Sequence, residues 1–241
     1  MDNRVHFLLE KGLKELNITI NSSQKDQIIF FLNMIERNNR LFNLTGFKTH
    51  EAILVDLIFD SLSFLKTNFP FNAINTALDV GTGAGIPGMP LNILFPNIRF
   101  YYLDSNHKKI DFLKIVSNQL NLNQSFFLCD RAESLGHSSL YREKFDFAMT
   151  RALSTLATSL ELVTPFIKVK GRAVFFKGSS YQNEISLASN SLSLLNCQLD
   201  SIIPIPIPLS NRTNHFLFIS KSASTPAIYP RRIGIPQKKP L

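Results

Sequence analysis

Leu78-Asp79-Val80-Gly81-Thr82-Gly83-Ala84-Gly85-Ile86-Pro87-Gly88 decides how this chain of 241 residues reads. An apolar run of strand length, Thr76–Val80, enters a turn with glycine at alternate positions, and Pro87 suits the first turn of a following helix. Glycine allows tight-turn torsions and close approach of a ligand to the backbone, so the combination points to a nucleotide-type ligand. Two ligand classes compete. The frame Gly83-x-Gly85-x-x-Gly88 matches the dinucleotide fingerprint of NAD enzymes, but it begins beyond the strand end. Started at Gly81, the frame has Ile86 in third place and the fingerprint fails. The alternating Gly81-x-Gly83-x-Gly85 form, with Asp79 two residues earlier, is the pattern of S-adenosylmethionine sites, where no pyrophosphate has to be cradled.

Outward from this loop the chain alternates strand and helix. Strand-length apolar runs recur at Arg99–Leu103, Phe126–Leu128, Phe145–Met149 and Ala173–Phe176, with helical stretches at Lys108–Leu120 and Leu156–Ile167. This alternation predicts a mainly parallel sheet covered on both faces, an α/β Rossmann-like fold. A further helix near Glu184–Leu195 precedes two strands, Gln198–Ile203 and His215–Ser220, that predict an antiparallel hairpin at one edge and bring the strands to seven. Pro204, Pro206 and Pro208 restrict their segment to an edge. Residues 1–66 read as a helical extension, with amphipathic runs over Gln24–Ile35 (Ser22 or Ser23 as N-cap) and Glu51–Leu65 (Thr49 as cap). Asn68–Asn72 reads as a linker, residues 67–221 as the sheet domain, and residues 222–241 as an irregular basic, proline-containing tail.

Composition narrows the class. The chain is 44% hydrophobic and 18% charged, which excludes a disordered chain. It has no apolar run of membrane-spanning length, and the charged N-terminus lacks the core of a signal peptide. Cys129 and Cys197 show neither disulfide nor zinc spacing, so a reducing cytoplasm is expected, with no metal. The net charge of +8 is uneven: residues 1–161 carry 16 basic and 16 acidic residues, whereas residues 162–241 carry 10 basic residues against Glu184 and Asp200. Such a distribution suits a polyanion partner, or equally a basic solvated surface.

Asp104 ends the second strand, where a carboxylate can accept both hydroxyls of a ribose or merely cap the next helix near Asn106. Asp130-Arg131-Ala132-Glu133 follows the third strand, at the position that borders an adenine in this topology. Arg151 follows the fourth strand at the ligand end of the sheet and could hold the donor, a phosphate or a guanine edge; a salt bridge to Glu133 or Asp146 is the structural alternative. Lys177, Arg212 and His215 fall at the same end and would face RNA, with a solvated lysine and an ordinary strand-end histidine as alternatives. Arg231, Arg232, Lys238 and Lys239 make a phosphate clamp or a floppy basic tail. The 21 phenylalanines, without a tryptophan, read as core filling.

These residues resemble the bacterial RsmG (GidB) family of ribosomal RNA small-subunit methyltransferases. The likeness rests on Asp79–Gly88, Asp104-Ser105 with Lys108-Lys109, Arg131-Ala132-Glu133, Phe145-Asp146, Thr150-Arg151-Ala152 and Lys177-Gly178. It extends to Asn43-Leu44-Thr45, Asp60-Ser61-Leu62, Tyr229-Pro230-Arg231-Arg232 and the end of the chain from Gly234. Leu57 stands where the family usually has a histidine, and the Ile-Pro alternation at 203–208 is unusual for it. The resemblance implies methyl transfer from S-adenosyl-L-methionine to N7 of one guanine in the decoding-region loop of 16S rRNA. It places the donor on Gly81, Ile86, Ala132, Glu133 and Arg151; Gly83, Gly85 and Asp104 are added from the loop and ribose reasoning.

Guanine N7 has an in-plane lone pair and no proton to lose, so no general base is required, and no Ser-His-Asp, Cys-His or paired-carboxylate constellation stands out. Catalysis then rests on holding N7 about 3 Å from the methyl carbon, in line with the departing sulfur. The alternatives are a non-catalytic RNA-binding or ribosome-assembly module and an NAD-dependent oxidoreductase. Nothing in the sequence demands more than a monomer.

Overall fold

The computed structural model describes residues 3–241. Seven strands form one sheet in the order β3-β2-β1-β4-β5-β7-β6. The helical N-terminus comprises α1 (Asn3–Leu16), α2 (Ser22–Asn39) and a helical run over 50–67, which includes α3 (His50–Ile53), a π-helical turn (Leu54–Phe59) and α4 (Asp60–Leu62). The alternating part follows as β1 (Thr76–Val80), α5 (Gly88–Leu94), β2 (Arg99–Asp104), α6 (His107–Gln119), β3 (Ser125–Cys129), α7 (Ala132–Leu135), β4 (Phe145–Arg151), α8 (Leu156–Val163) and β5 (Ile167–Lys177). Then come α9 (Tyr181–Leu187), α10 (Ser189–Leu194), β6 (Cys197–Pro206), β7 (Thr213–Lys221) and a single turn, α11 (Ile235–Lys238).

The first five strands pair in parallel, and β7 pairs antiparallel with both β5 and β6. Pro204 and Pro206 lie on the edge strand β6, where a missing N–H costs no ladder bond to a further strand, and Pro208 lies in the turn that follows. Along β7 the side chains alternate between two cores: Phe216 and Phe218 face one, Leu217 and Ile219 the other. The first core is roofed by α1, α2, the run over 50–67, α5 and α6; the second by α8 and the helices around it, with Tyr229 from the tail. Phe64 lies within about 6 Å of six other phenylalanine rings, including Phe147, Phe176 and Phe216, so the phenylalanines do fill the core.

Local chemistry corrects several boundaries. The cap of α2 is Asn21 rather than Ser22 or Ser23: its side chain accepts from the Gln24 N–H (2.8 Å), and Gln24 accepts from the Asn21 N–H (3.1 Å). Thr49 caps α3 as expected, accepting from the Ala52 N–H. The helix expected near Glu184–Leu195 is two helices meeting at Ala188; Ser186 and Ser189 hydroxyls bond carbonyls three residues back, competing with the helical ladder. Within Asn68–Asn72, Phe71 is buried and Phe69 stacks on Phe218, so this segment belongs to the core. The tail is largely irregular but docked: Arg142 bonds the carbonyls of Thr225, Pro226 and Tyr229, and Tyr229, Pro230 and Pro236 are buried.

Candidate active site

Three glycines of the turn after β1 have positive φ: Gly81 (71°), Gly83 (58°) and Gly85 (88°), a region other residues enter at a cost. The turn is tied to the next strand by the Gly81 and Thr82 N–H groups, which both donate to the Leu103 carbonyl. Gly83 N–H donates to Asp104 Oδ2 (3.0 Å), and the N–H groups of Gly85 and Ile86 both donate to the Thr82 carbonyl. These amides are committed inside the protein, which leaves them no capacity to cradle a pyrophosphate and removes the dinucleotide frame's physical basis.

Beneath the turn, Asp79 is fully buried and accepts from the Thr82 hydroxyl (2.8 Å) and the Gly88 N–H (2.9 Å), while its Oδ1 has no partner among the described residues. Burial pushes its carboxyl up to about 7 against the pull of those two hydrogen bonds.

A cleft of about 420 Å³ opens over the C-terminal ends of β1, β2 and β3. Gly81, Asp104, Ala132 and Glu133 line it. Asp104 ends β2 at the cleft, with Oδ1 held by the Asn106 N–H (2.9 Å) and Lys109 Nζ 4.0 Å from Oδ2. The cap of α6 is Asn106 itself, whose side chain accepts from the Lys108 N–H. The structure brings neither Gly83, Gly85, Ile86 nor Arg151 to the cleft lining. Gly85 instead admits its neighbours closely: a Cβ there would lie 2.6 Å from Leu113 Cδ2. Ile86 is buried in the first core.

The size and donors suit a nucleoside-methionine ligand. Asp104 offers a carboxylate that can accept from hydroxyls, Ala132 offers a small apolar surface, and Gly81 keeps the floor clear, since a Cβ there would meet Leu153 Cδ1 at 2.5 Å. Lys109, Leu153, Leu162, Gly234 and Gln237 also line the cleft and were not singled out from the sequence as donor residues. Gly234 and Gln237 come from the far end of the chain, which no local spacing connects to the glycine loop.

A second hollow of about 290 Å³ shares Ala152 with the first. Arg151, Lys177 and Arg212 all line it, so three cations predicted separately converge there. Arg151 pairs with Asp60 rather than with Glu133 or Asp146, and it donates to the Asp56 carbonyl (2.8 Å). Asp60 also accepts from Asn214, and Arg212 pairs with Asp56. Burial raises the Asp60 carboxyl above its usual range, while Arg151 and Asn214 oppose that rise. Lys177 does not reach outward: it donates to Glu184 (2.7 Å) and to the Ser154 carbonyl (2.8 Å). His215 stacks on Tyr181 with ring centres 4.1 Å apart. The helical run over 50–67 therefore builds one wall of this hollow, which the sequence did not disclose.

Arg231 leaves the proposed clamp. Its guanidinium forks onto both oxygens of fully buried Glu161, and its N–H donates to Glu161 Oε1 (2.7 Å). Arg232, Lys238 and Lys239 are exposed and form no ion pair among the described residues.

A seven-stranded, mainly parallel sheet with an antiparallel edge hairpin and a glycine-turn cleft beside Asp104 defines a class I methyltransferase. A methyltransferase structure from Aquifex aeolicus, described as dependent on S-adenosylmethionine, shares the fold at TM-score 0.52 and 16% identity, over 70% of this chain and 92% of that one. The family model for rRNA small subunit methyltransferase G (GidB) matches residues 24–206, and the chain belongs to that family. It is 36% identical to the ribosomal RNA small subunit methyltransferase G of Alkaliphilus metalliredigens (strain QYMF), over 98% of both chains. The protein of the same name from Alkaliphilus oremlandii (strain OhILAs) is also 36% identical, over 97% of this chain and 98% of its own.

Proposed function

We propose that this protein methylates N7 of a guanine in the decoding-region loop of 16S rRNA, with S-adenosyl-L-methionine as donor in the cleft beside Asp104. The observation that carries this reading is the junction of the two hollows at Ala152: one suits a nucleoside donor, the other is lined by Arg151, Lys177 and Arg212. Membership of the family supplies the RNA class. Bound in the cleft, the donor supplies a methyl group on positively charged sulfur.

The chain's own part is positioning. Asp104 is fixed by the Gly83 and Asn106 N–H groups and presents its carboxylate to a ribose. Asp79 braces the turn from below through Thr82 and Gly88. On the acceptor side the Arg151–Asp60–Asn214 network holds its donors in fixed places, which suits a planar base better than mobile side chains would. N7 of guanine needs no deprotonation at neutral pH, so these residues align the acceptor and move no proton.

The test is transfer of labelled methyl from S-adenosylmethionine to separated ribosomal subunits from a strain lacking the enzyme, followed by nucleoside analysis. Label confined to small-subunit RNA as 7-methylguanosine is the expected result, and Gly81→Asp removes it by filling the cleft floor. Label in any other nucleoside, or none with wild-type protein, overturns the proposal.

A further inference from the structure

The C-terminal segment 231–241 does two things at once. On its inner side Gly234 and Gln237 form part of the donor cleft. Gly234 N–H donates to Oε1 of Glu133, itself a cleft residue (3.0 Å), and the Ser154 hydroxyl donates to Gln237 Oε1 (3.2 Å). The Gln237 amide N–H groups have no partner among the described residues, so they are free to donate to a ligand in the cleft. On its outer side the same segment carries Arg232, Lys238 and Lys239, all exposed and free of ion pairs among the described residues.

That concentration is not a by-product of a basic chain. Of the ten cations after residue 161, six are paired: Lys168, Arg172, Lys177, Arg212, Lys221 and Arg231. Three of the remaining four sit within eight residues of one another, on the strip that walls the donor cleft.

The segment is pinned at its ends and held between them by the Gly234, Pro236 and Gln237 hydrogen bonds over little buried surface. At one end Arg231 is forked to Glu161 and also donates to the Lys239 carbonyl (2.7 Å). At the other, the Leu241 carbonyl accepts from the Ser191 hydroxyl (3.1 Å). Between these, Pro236 is the buried residue, tied by its carbonyl to Thr158 (3.0 Å), while Ile233 and Ile235 are exposed. A strap with so little buried surface opens at low cost.

We propose that this strap couples the two substrates: RNA phosphates on Arg232, Lys238 and Lys239 hold it down, and its inner face, through Gln237, then retains the donor. The inference rests on the function proposed above for the same cleft. Two ligands that both favour the docked strap bind with positive cooperativity, and linkage makes the effect reciprocal.

The experiment measures the dissociation constant of S-adenosylhomocysteine, which has no methyl to transfer, on the full chain with and without saturating protein-free 16S rRNA. RNA is expected to tighten it roughly tenfold in the wild type, within the usual range of such couplings. In the triple variant R232A/K238A/K239A the affinity without RNA stays within about twofold of wild type, while the RNA-induced tightening falls below about twofold at saturating RNA. The variant's RNA binding also loses part of its salt dependence, since each phosphate contact adds about 0.7–0.9 to the slope. Gln237→Ala weakens the ligand without RNA and leaves RNA affinity in the absence of ligand unchanged. Equal tightening in wild type and triple variant, or none in a wild type that does bind RNA, overturns the coupling and leaves the proposed function standing. A wild type that binds S-adenosylhomocysteine but no protein-free RNA at low salt overturns the coupling, and the proposed function then stands or falls on methyl transfer to the subunits.

Discussion

Asp79 is the residue whose chemistry departs furthest from its sequence appearance. As a fully buried acid it spends its hydrogen bonds on Thr82 and Gly88, which shapes the glycine turn from inside. Burial pushes its carboxyl from 3.8 to about 7, so the unfolded chain releases this proton near pH 4 whereas the folded chain keeps it to near neutrality. Stability is therefore lost as pH rises through that window and levels off above about 7. Asp79→Asn abolishes the titration while retaining an acceptor for the turn. Between pH 5 and pH 8 the wild type is expected to lose on the order of 2–3 kcal/mol relative to the variant in urea unfolding. A difference that stays flat with pH would show that Asp79 is ionised throughout.

Among the elements, the order of strands and helices from Thr76 to Ser220 was legible in the sequence, because apolar runs of two distinct periods alternate there. So was the edge position of the Ile-Pro strand, and so were Gly81, Asp104, Ala132 and Glu133 as neighbours around one cleft. What could not be read were pairings between distant segments. Arg151 finds Asp60, 91 residues away, through a helical run whose π turn lies just before that aspartate. Leu57, where the family usually has a histidine, is buried in the first core and lies outside both hollows. The tail reads as irregular, a phosphate clamp or a floppy basic end, yet Arg231 anchors it on an acid with no exposure at all. Arg231→Ala would leave Glu161 with one backbone N–H from this segment, and an uncompensated buried charge costs about 3–5 kcal/mol. Urea unfolding should show a loss of that size, and the affinity for S-adenosylhomocysteine should fall as Gly234 and Gln237 leave the cleft. Arg231→Lys keeps the charge without the fork and is expected to fall between the two.

For the whole molecule, the sequence divides into helical extension, sheet and tail, but the packing joins them. Ile28, Phe31 and Phe59 from the N-terminal helices share one core with Phe147, Phe176 and Phe216 from the sheet. The tail's Tyr229 enters the opposite core beside Leu217 and Ile219. Removing the helices would strip the roof from one sheet face, and removing the tail would open the other, so neither part has a core of its own to fall back on. Charge follows the same pattern: Arg212 pairs with Asp56 and Arg231 with Glu161, so the basic last third is neutralised mainly by acids from the first two thirds. This mutual dependence predicts a single unfolding transition. Far-ultraviolet circular dichroism reports the helices, about half of whose residues lie before residue 68, whereas near-ultraviolet signal from buried Tyr102 and Tyr229 reports both sheet faces. The two urea curves are expected to superimpose with one midpoint. A helical signal that fades before the tyrosine signal would make the N-terminal helices a separable unit, and the Asp56 and Asp60 wall of the second hollow would then come and go independently of the donor cleft.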